Sequence, residues 1–154
     1  MPVKRLDDLC NLIQDLKDTL LHFRETHGFG RGIAAPQIGV LQRVAVIHID
    51  DPISLINPTI YRRSRNLMTL WDDCFSFPDL LVEVQRNLEI EVRYRDASWA
   101  SKTLKASGPL SELLQHEIYH LDGILAIDRA IDSQHIVYRS EYSKHVKPGA
   151  AMMF

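Results

Sequence analysis

"PLSELLQHEIYHLDG", residues 109–123, is the stretch from which the rest of the chain can be read. Pro109 suits the first position of a helix, because its ring presets the backbone angle and its missing N–H has no partner to lose there. Leu110, Leu114, Ile118, Leu121 and Leu125 recur at steps of three or four, which predicts a helix buried along one face and ending near Gly123. The rest of its circumference is then free for other work. On such a helix His116 and His120 lie one turn apart on the same side, and Glu117 projects beside them, about 100° round. This HExxH spacing alone stands evenly between a metal-binding helix and two histidines on an exposed surface. A third ligand decides, since catalytic sites usually take three protein ligands and leave one position open. Cys74, within "WDDCFSFPD" (71–79), is the outstanding candidate, because a thiolate can join two imidazoles at one ion.

Working outward, "RVAVIHI" (43–49) and "LINPTIY" (55–61) are rich in β-branched residues and divided by the turn signal "DDP". "LMTLW" (67–71) and "LLVEV" (80–84) flank Cys74 as further strands. In "LEIEVRYR" (88–95) apolar and polar residues alternate, and "SKTLKA" (101–106) pairs with it across a turn near "DASW". Residues 4–26 form a first helix, with Leu6, Leu9, Ile13, Leu16, Leu20 and Phe23 on its apolar stripe and Cys10 expected to pack among them. "HGFGRG" (27–32) ends it. From about Arg129 the signal thins, and "SKHVKPGAAMMF" (143–154) reads as a loosely held end. Helix, several strands, helix is the order of an α+β fold, and 154 residues fit one domain.

A net charge of −2, with both signs spread along the chain, provides no face for a polyanion; Arg62, Arg63 and Arg65 read as a solvated turn. No apolar run is long enough to cross a bilayer, and "MPVKRLDDLC" has no secretory core, so the expected location is the cytoplasm. Two cysteines are too few for a disulfide framework. A phosphate cradle is disfavoured too, because Gly28, Gly30 and Gly32 do not give GxGxxG and Pro36 discourages an immediate helix.

Three stretches in register, "GRGIAAPQIG" (30–39), "DDCFS" (72–76) and "QHEIYHL" (115–121), resemble the motifs of the peptide deformylases, usually written GxGxAAPQ, EGCLS and HExDH. The likeness extends more loosely through residues 5–130. It implies antiparallel sheets around a central helix bearing both histidines. It further implies that Cys74, His116 and His120 hold one divalent ion, commonly ferrous iron, with nickel, cobalt or zinc acceptable to the same ligands. Glu117 would move the proton between attacking water and departing amine. Gln37 and the backbone N–H of Phe75 would donate to the oxyanion. Gly30 and Gly32 would let the chain approach the substrate peptide. The implied reaction removes the N-formyl group from a formyl-methionyl peptide or a related formyl-amine. The competing readings are a non-enzymatic metal-binding relative that holds a peptide or protein, and an ordinary HExxH endopeptidase, against which the surroundings of Cys74 speak.

Departures from those motifs fall near the reaction. Asp72 and Asp73 replace glutamate and glycine, and Tyr119 replaces the aspartate of HExDH. Arg86, matching the family's arginine, then needs another carboxylate, expected to be Asp73 or Asp122. Glu112, four residues before His116, shares the metal face where the family has an apolar residue against the substrate's methionine. It is either an exposed glutamate favoured by the helix dipole or a carboxylate inside the pocket. The first helix is also expected to begin nearer the start of the chain than is usual in the family, without the family's leading strand region.

Overall fold

The computed structural model describes residues 1–3, 9–145 and 152–153. Helix α1 (Leu9–His27) is followed by strands β1 (Gly32–Ala34), β2 (Val44–His48), β3 (Pro52–Arg63), β4 (Leu67–Asp72), β5 (Leu80–Asn87), β6 (Glu89–Arg95) and β7 (Ser101–Ser107). Helix α2 (Pro109–Leu121), strand β8 (Ile136–Tyr138), a single helical turn α3 (Tyr142–His145) and strand β9 (Met152–Met153) complete it. Five strands form one sheet in the order β1-β2-β3-β6-β7, and four form a second in the order β8-β5-β4-β9. Every pairing of named strands is antiparallel except that of β9 with β4. The architecture is therefore α+β, as the order of elements implied.

Alternation explains the β6–β7 hairpin: Ile90 and Val92 turn inward while Glu89 and Arg93 face solvent. β3 bends through two register shifts, and at the first of them Asn57 takes a left-handed φ of 51°. Its amide accepts from Val3 N and donates to Val3 O, both at 2.8 Å, tying the chain's start to the bend. α1 lays Leu9, Leu12, Ile13, Leu16 and Leu20 against Ile33, Val44, Val46 and Ile56. Burying each such leucine stabilises the fold by about 1.5–3 kcal/mol. Cys10 does not join them; it is exposed, one position off the stripe. The first five residues of the expected helix, 4–8, lie outside those described.

α2 packs on both sheets, its apolar side on Ile47, Leu55, Ile90, Val92 and Ala106. The expectation of one buried face is corrected: Ser111, Glu112, Gln115, His116, Glu117 and His120 are buried as well. A helix covered all round cannot leave polar groups unpartnered at low cost, and much of its polar side is tied down by hydrogen bonds, Glu112 Oε1 and Glu117 Oε2 being exceptions among the described residues. Gln115 accepts from Asn87 N at 3.0 Å and donates to Asn87 O at 2.9 Å, stitching α2 to the end of β5. Between Ile136 and Arg139 the chain is held: β8 pairs with β5, and Arg139 N donates to Asp79 O at 2.7 Å. Residues 146–151 and 154 of the expected tail lie outside those described.

Candidate metal centre

Two elements deliver the ligands. β4 ends at Asp72, and the chain turns at once, Phe77 N donating to Cys74 O at 3.2 Å, so that the cysteine faces α2. On α2 the four-residue spacing stacks Glu112, His116 and His120 along one side. His120 Nε2 lies 3.2 Å from Cys74 Sγ and 3.0 Å from His116 Nε2. All three residues are buried, and their donor atoms lie within 4.8 Å of one another.

The far side of each histidine matters equally. His116 Nδ1 lies 2.6 Å from Asp72 Oδ2, which commits that nitrogen to the carboxylate and turns Nε2 toward the other donors. Burial opposes ionisation of Asp72, but His116 and Arg86 beside it hold its carboxyl well below the usual range. Burial, then the neighbouring His116, pushes His120 down to about 3, so its ring stays neutral and able to ligate. Three convergent lone-pair donors of nitrogen and sulfur, gathered away from solvent, fit a divalent first-row ion. A second grouping, Asp72, Glu112 and His116, shares one histidine with the first, but its carboxylates already have arginine partners in Arg86 and Arg31.

Arg86 corrects one expectation. Its partner is Asp72, with Nη2 donating to Oδ2 at 3.2 Å. Asp73 instead accepts from Arg139 at 2.6 Å, and Asp122 from Arg43 at 2.7 Å. Tyr119 stands with its ring between Arg86 and Arg129, whose guanidinium carbons lie 5.4 and 4.8 Å from the ring centre. Arg86 Nε and Nη1 are buried without hydrogen-bond partners among the described residues.

Glu117 is buried, its Oε2 accepts no hydrogen bond among the described residues, and burial pushes its carboxyl up to about 7. Gln37 is oriented from behind: its Oε1 accepts from Ala34 N at 2.8 Å, turning Nε2 toward Cys74 Sγ at 3.6 Å and Ser76 Oγ at 3.3 Å. The glycines make room for the protein's own side chains. A Cβ on Gly32 would stand 2.8 Å from Glu117 Oε1, and one on Gly30 would stand 2.2 Å from the Phe75 ring. That ring stacks on Phe23 at 3.6 Å.

Gly30, Gly32, Gln37, Asp73, Cys74, Phe75, Glu112, His116 and Glu117 therefore line one cleft. Glu112 is inside it, not exposed at the helix start. Sequence reasoning missed Arg31 and Arg139. Arg31 occupies the variable position of its glycine motif, and only its sign, opposite to Glu112, hinted at a partnership. Arg139 left no hint.

The family described as Polypeptide deformylase matches residues 1–135. A peptide deformylase of Picosynechococcus sp. is 40% identical over 129 residues, covering 80% of this chain and 66% of that protein. One from Microchaete diplosiphon is 34% identical over 154 residues, covering 94% and 79%. Among solved structures, the Legionella pneumophila peptide deformylase superposes with a TM-score of 0.80 at 33% identity, covering 88% of this chain and 79% of that one. That of Synechococcus elongatus in complex with actinonin gives 0.77 at 34%, covering 88% and 72%. With its two sheets around α2 and its cysteine and paired histidines gathered at one point, the chain belongs to the polypeptide deformylase family.

Proposed function

We propose that this protein hydrolyses an N-formyl amide, releasing formate and a free amine, with the N-terminus of a formylated peptide as the substrate class. The observation that carries the reading is the convergence of Cys74 Sγ, His116 Nε2 and His120 Nε2 beside a cleft that Cys74, His116 and Glu117 line, the buried Oε2 of Glu117 having no hydrogen-bond partner among the described residues. When bound, a divalent ion supplies Lewis acidity, lowering the pKa of water and polarising the formyl group. Ferrous iron is the native ion of this reading; nickel, cobalt and zinc suit the same donors.

The chain's own groups do the rest. Asp72 fixes the His116 tautomer. Glu117, poised near neutrality, takes the proton of the attacking water and gives it to the nitrogen as the C–N bond breaks. Gln37 Nε2 and the Phe75 N–H donate to the oxygen that becomes an oxyanion. Asp73 and Glu112 are the side chains that set which substrates enter. No helix of the described residues is long and apolar enough to cross a membrane, and the cytoplasm, where peptides are made, is the proposed location.

Anaerobic purification with metal analysis, followed by formate release from a panel of formyl-peptides and other formyl-amines, tests this. Glu117→Gln is expected to keep the metal and lose about 100–10,000-fold in turnover. Full metal occupancy without formate from any substrate would instead support a binding relative.

A further inference from the structure

The cleft before the ligands is closed by an ion pair. Arg31 Nη2 donates to Glu112 Oε2 at 2.8 Å, joining two residues 81 positions apart. The Glu112 side chain is 1% exposed and that of Arg31 20%, so the carboxylate lies in the depth and the guanidinium toward the mouth. Both line the cleft that holds Cys74, His116, Glu117 and Gln37. The free volume left there is about 20 Å³, on the order of one water molecule. Glu112 Oε1 is buried and accepts no hydrogen bond among the described residues.

These facts act in one direction. A long apolar side chain entering this space has to part Arg31 from Glu112, leaving a buried carboxyl without the guanidinium that donates to it and offering it no hydrogen bond in return. A side chain of one or two heavy atoms leaves the pair intact, and a hydroxyl on it supplies the donor that Oε1 lacks. The requirement is one of size first and polarity second.

We propose that the Arg31–Glu112 pair makes this cleft select N-formyl groups carried on residues with small side chains, a hydroxymethyl being favoured and methionine rejected. This rests on the deformylase reading above and names its substrate class.

The test measures formate release by the metal-loaded protein from formyl-Ser, formyl-Ala and formyl-Met tripeptides of otherwise identical sequence. The expected kcat/KM falls in that order, with serine at least tenfold above methionine. The double variant R31I/E112I replaces the pair by apolar groups, and its methionine-to-serine ratio is expected to rise at least tenfold. A wild-type preference for methionine, or a double variant with an unchanged ranking, would overturn the proposal. Should that variant fail to melt cooperatively, Arg31→Met serves instead, since parting the pair must also move the ranking toward methionine.

A calorimetric titration with the unformylated tripeptides Ser-Ala-Ser and Met-Ala-Ser separates the two levels. Were no formyl substrate cleaved, the deformylase reading would fall, yet tighter binding of the serine peptide would uphold the selection by Arg31 and Glu112. Equal or tighter binding of the methionine peptide would end it.

Discussion

One turn of α2 separates two kinds of buried polar residue. His116 and His120 face Cys74 within hydrogen-bonding distance of one another, and behind His116 runs a chain through Asp72 to Arg86 that ends inside the protein. Glu112, a turn earlier, is equally buried but is held by Arg31, which reaches it from the loop before β1. The ligand end keeps the spacing and residue types of the family's motifs, while the Glu112 end has exchanged an apolar wall for an ion pair. The two ends are held by different partners. The chemistry can therefore persist while the wall beside it is rebuilt, provided that each buried charge acquires a partner.

The largest effect that could break this comparison is expected at the point where the ligand end is anchored. Asp72→Ala removes the partner of both His116 and Arg86, and breaking such a buried pair costs about 3–5 kcal/mol of stability. Loss of the carboxylate behind a ligating histidine also weakens metal binding about 10–100-fold. Denaturant unfolding and chelator competition measure the two; an unperturbed metal affinity would show that the chain behind His116 is ornamental.

Next comes Gln37→Ala, expected to lower kcat by about 100–1,000-fold while metal content stays full. A change confined to KM would instead mark Gln37 as a substrate-binding group. Gly32→Ala probes the same end more gently. Its new Cβ would press on Glu117 at 2.8 Å, and a displacement near 1 Å in a reacting group costs about 100-fold in rate. Turnover should drop with little change in melting temperature, since the atom displaced belongs to a side chain and not to the core.

The smallest effect concerns the other end. Burial, then the nearby Asp72, pushes Glu112 up to about 8 from an ordinary 4.5, Arg31 only partly opposing it. The folded protein thus retains a proton that the unfolded chain has released. Stability contributed by Glu112 is present below about 4.5 and is lost as pH rises toward about 8. Glu112→Gln should flatten that fall in thermal melts recorded across the interval. An identical slope in both proteins would place the titration elsewhere.

The sequence by itself determined what depends on neighbours along the chain. Alternation in residues 88–95 specified the β6–β7 hairpin, and the leucine periodicity after Pro109 specified α2. The four-residue step from His116 to His120 brought two rings to one side of a helix before any fold was known. Cys74 was legible as their companion because no apolar stripe explained it. The same rule erred at Cys10, where one position of rotation put the thiol in solvent.

Tertiary structure alone decided which charges meet. Arg86 had three carboxylates to choose among, and the β4–β5 pairing brought Asp72 to it while Asp73 turned to Arg139, 66 positions further along. Glu112 reads identically as a solvated cap or a buried wall until β1 and α2 pack together. Backbone periodicity is local and written in consecutive residues. The partner of a buried charge is fixed by distance in space, which the chain acquires only on folding.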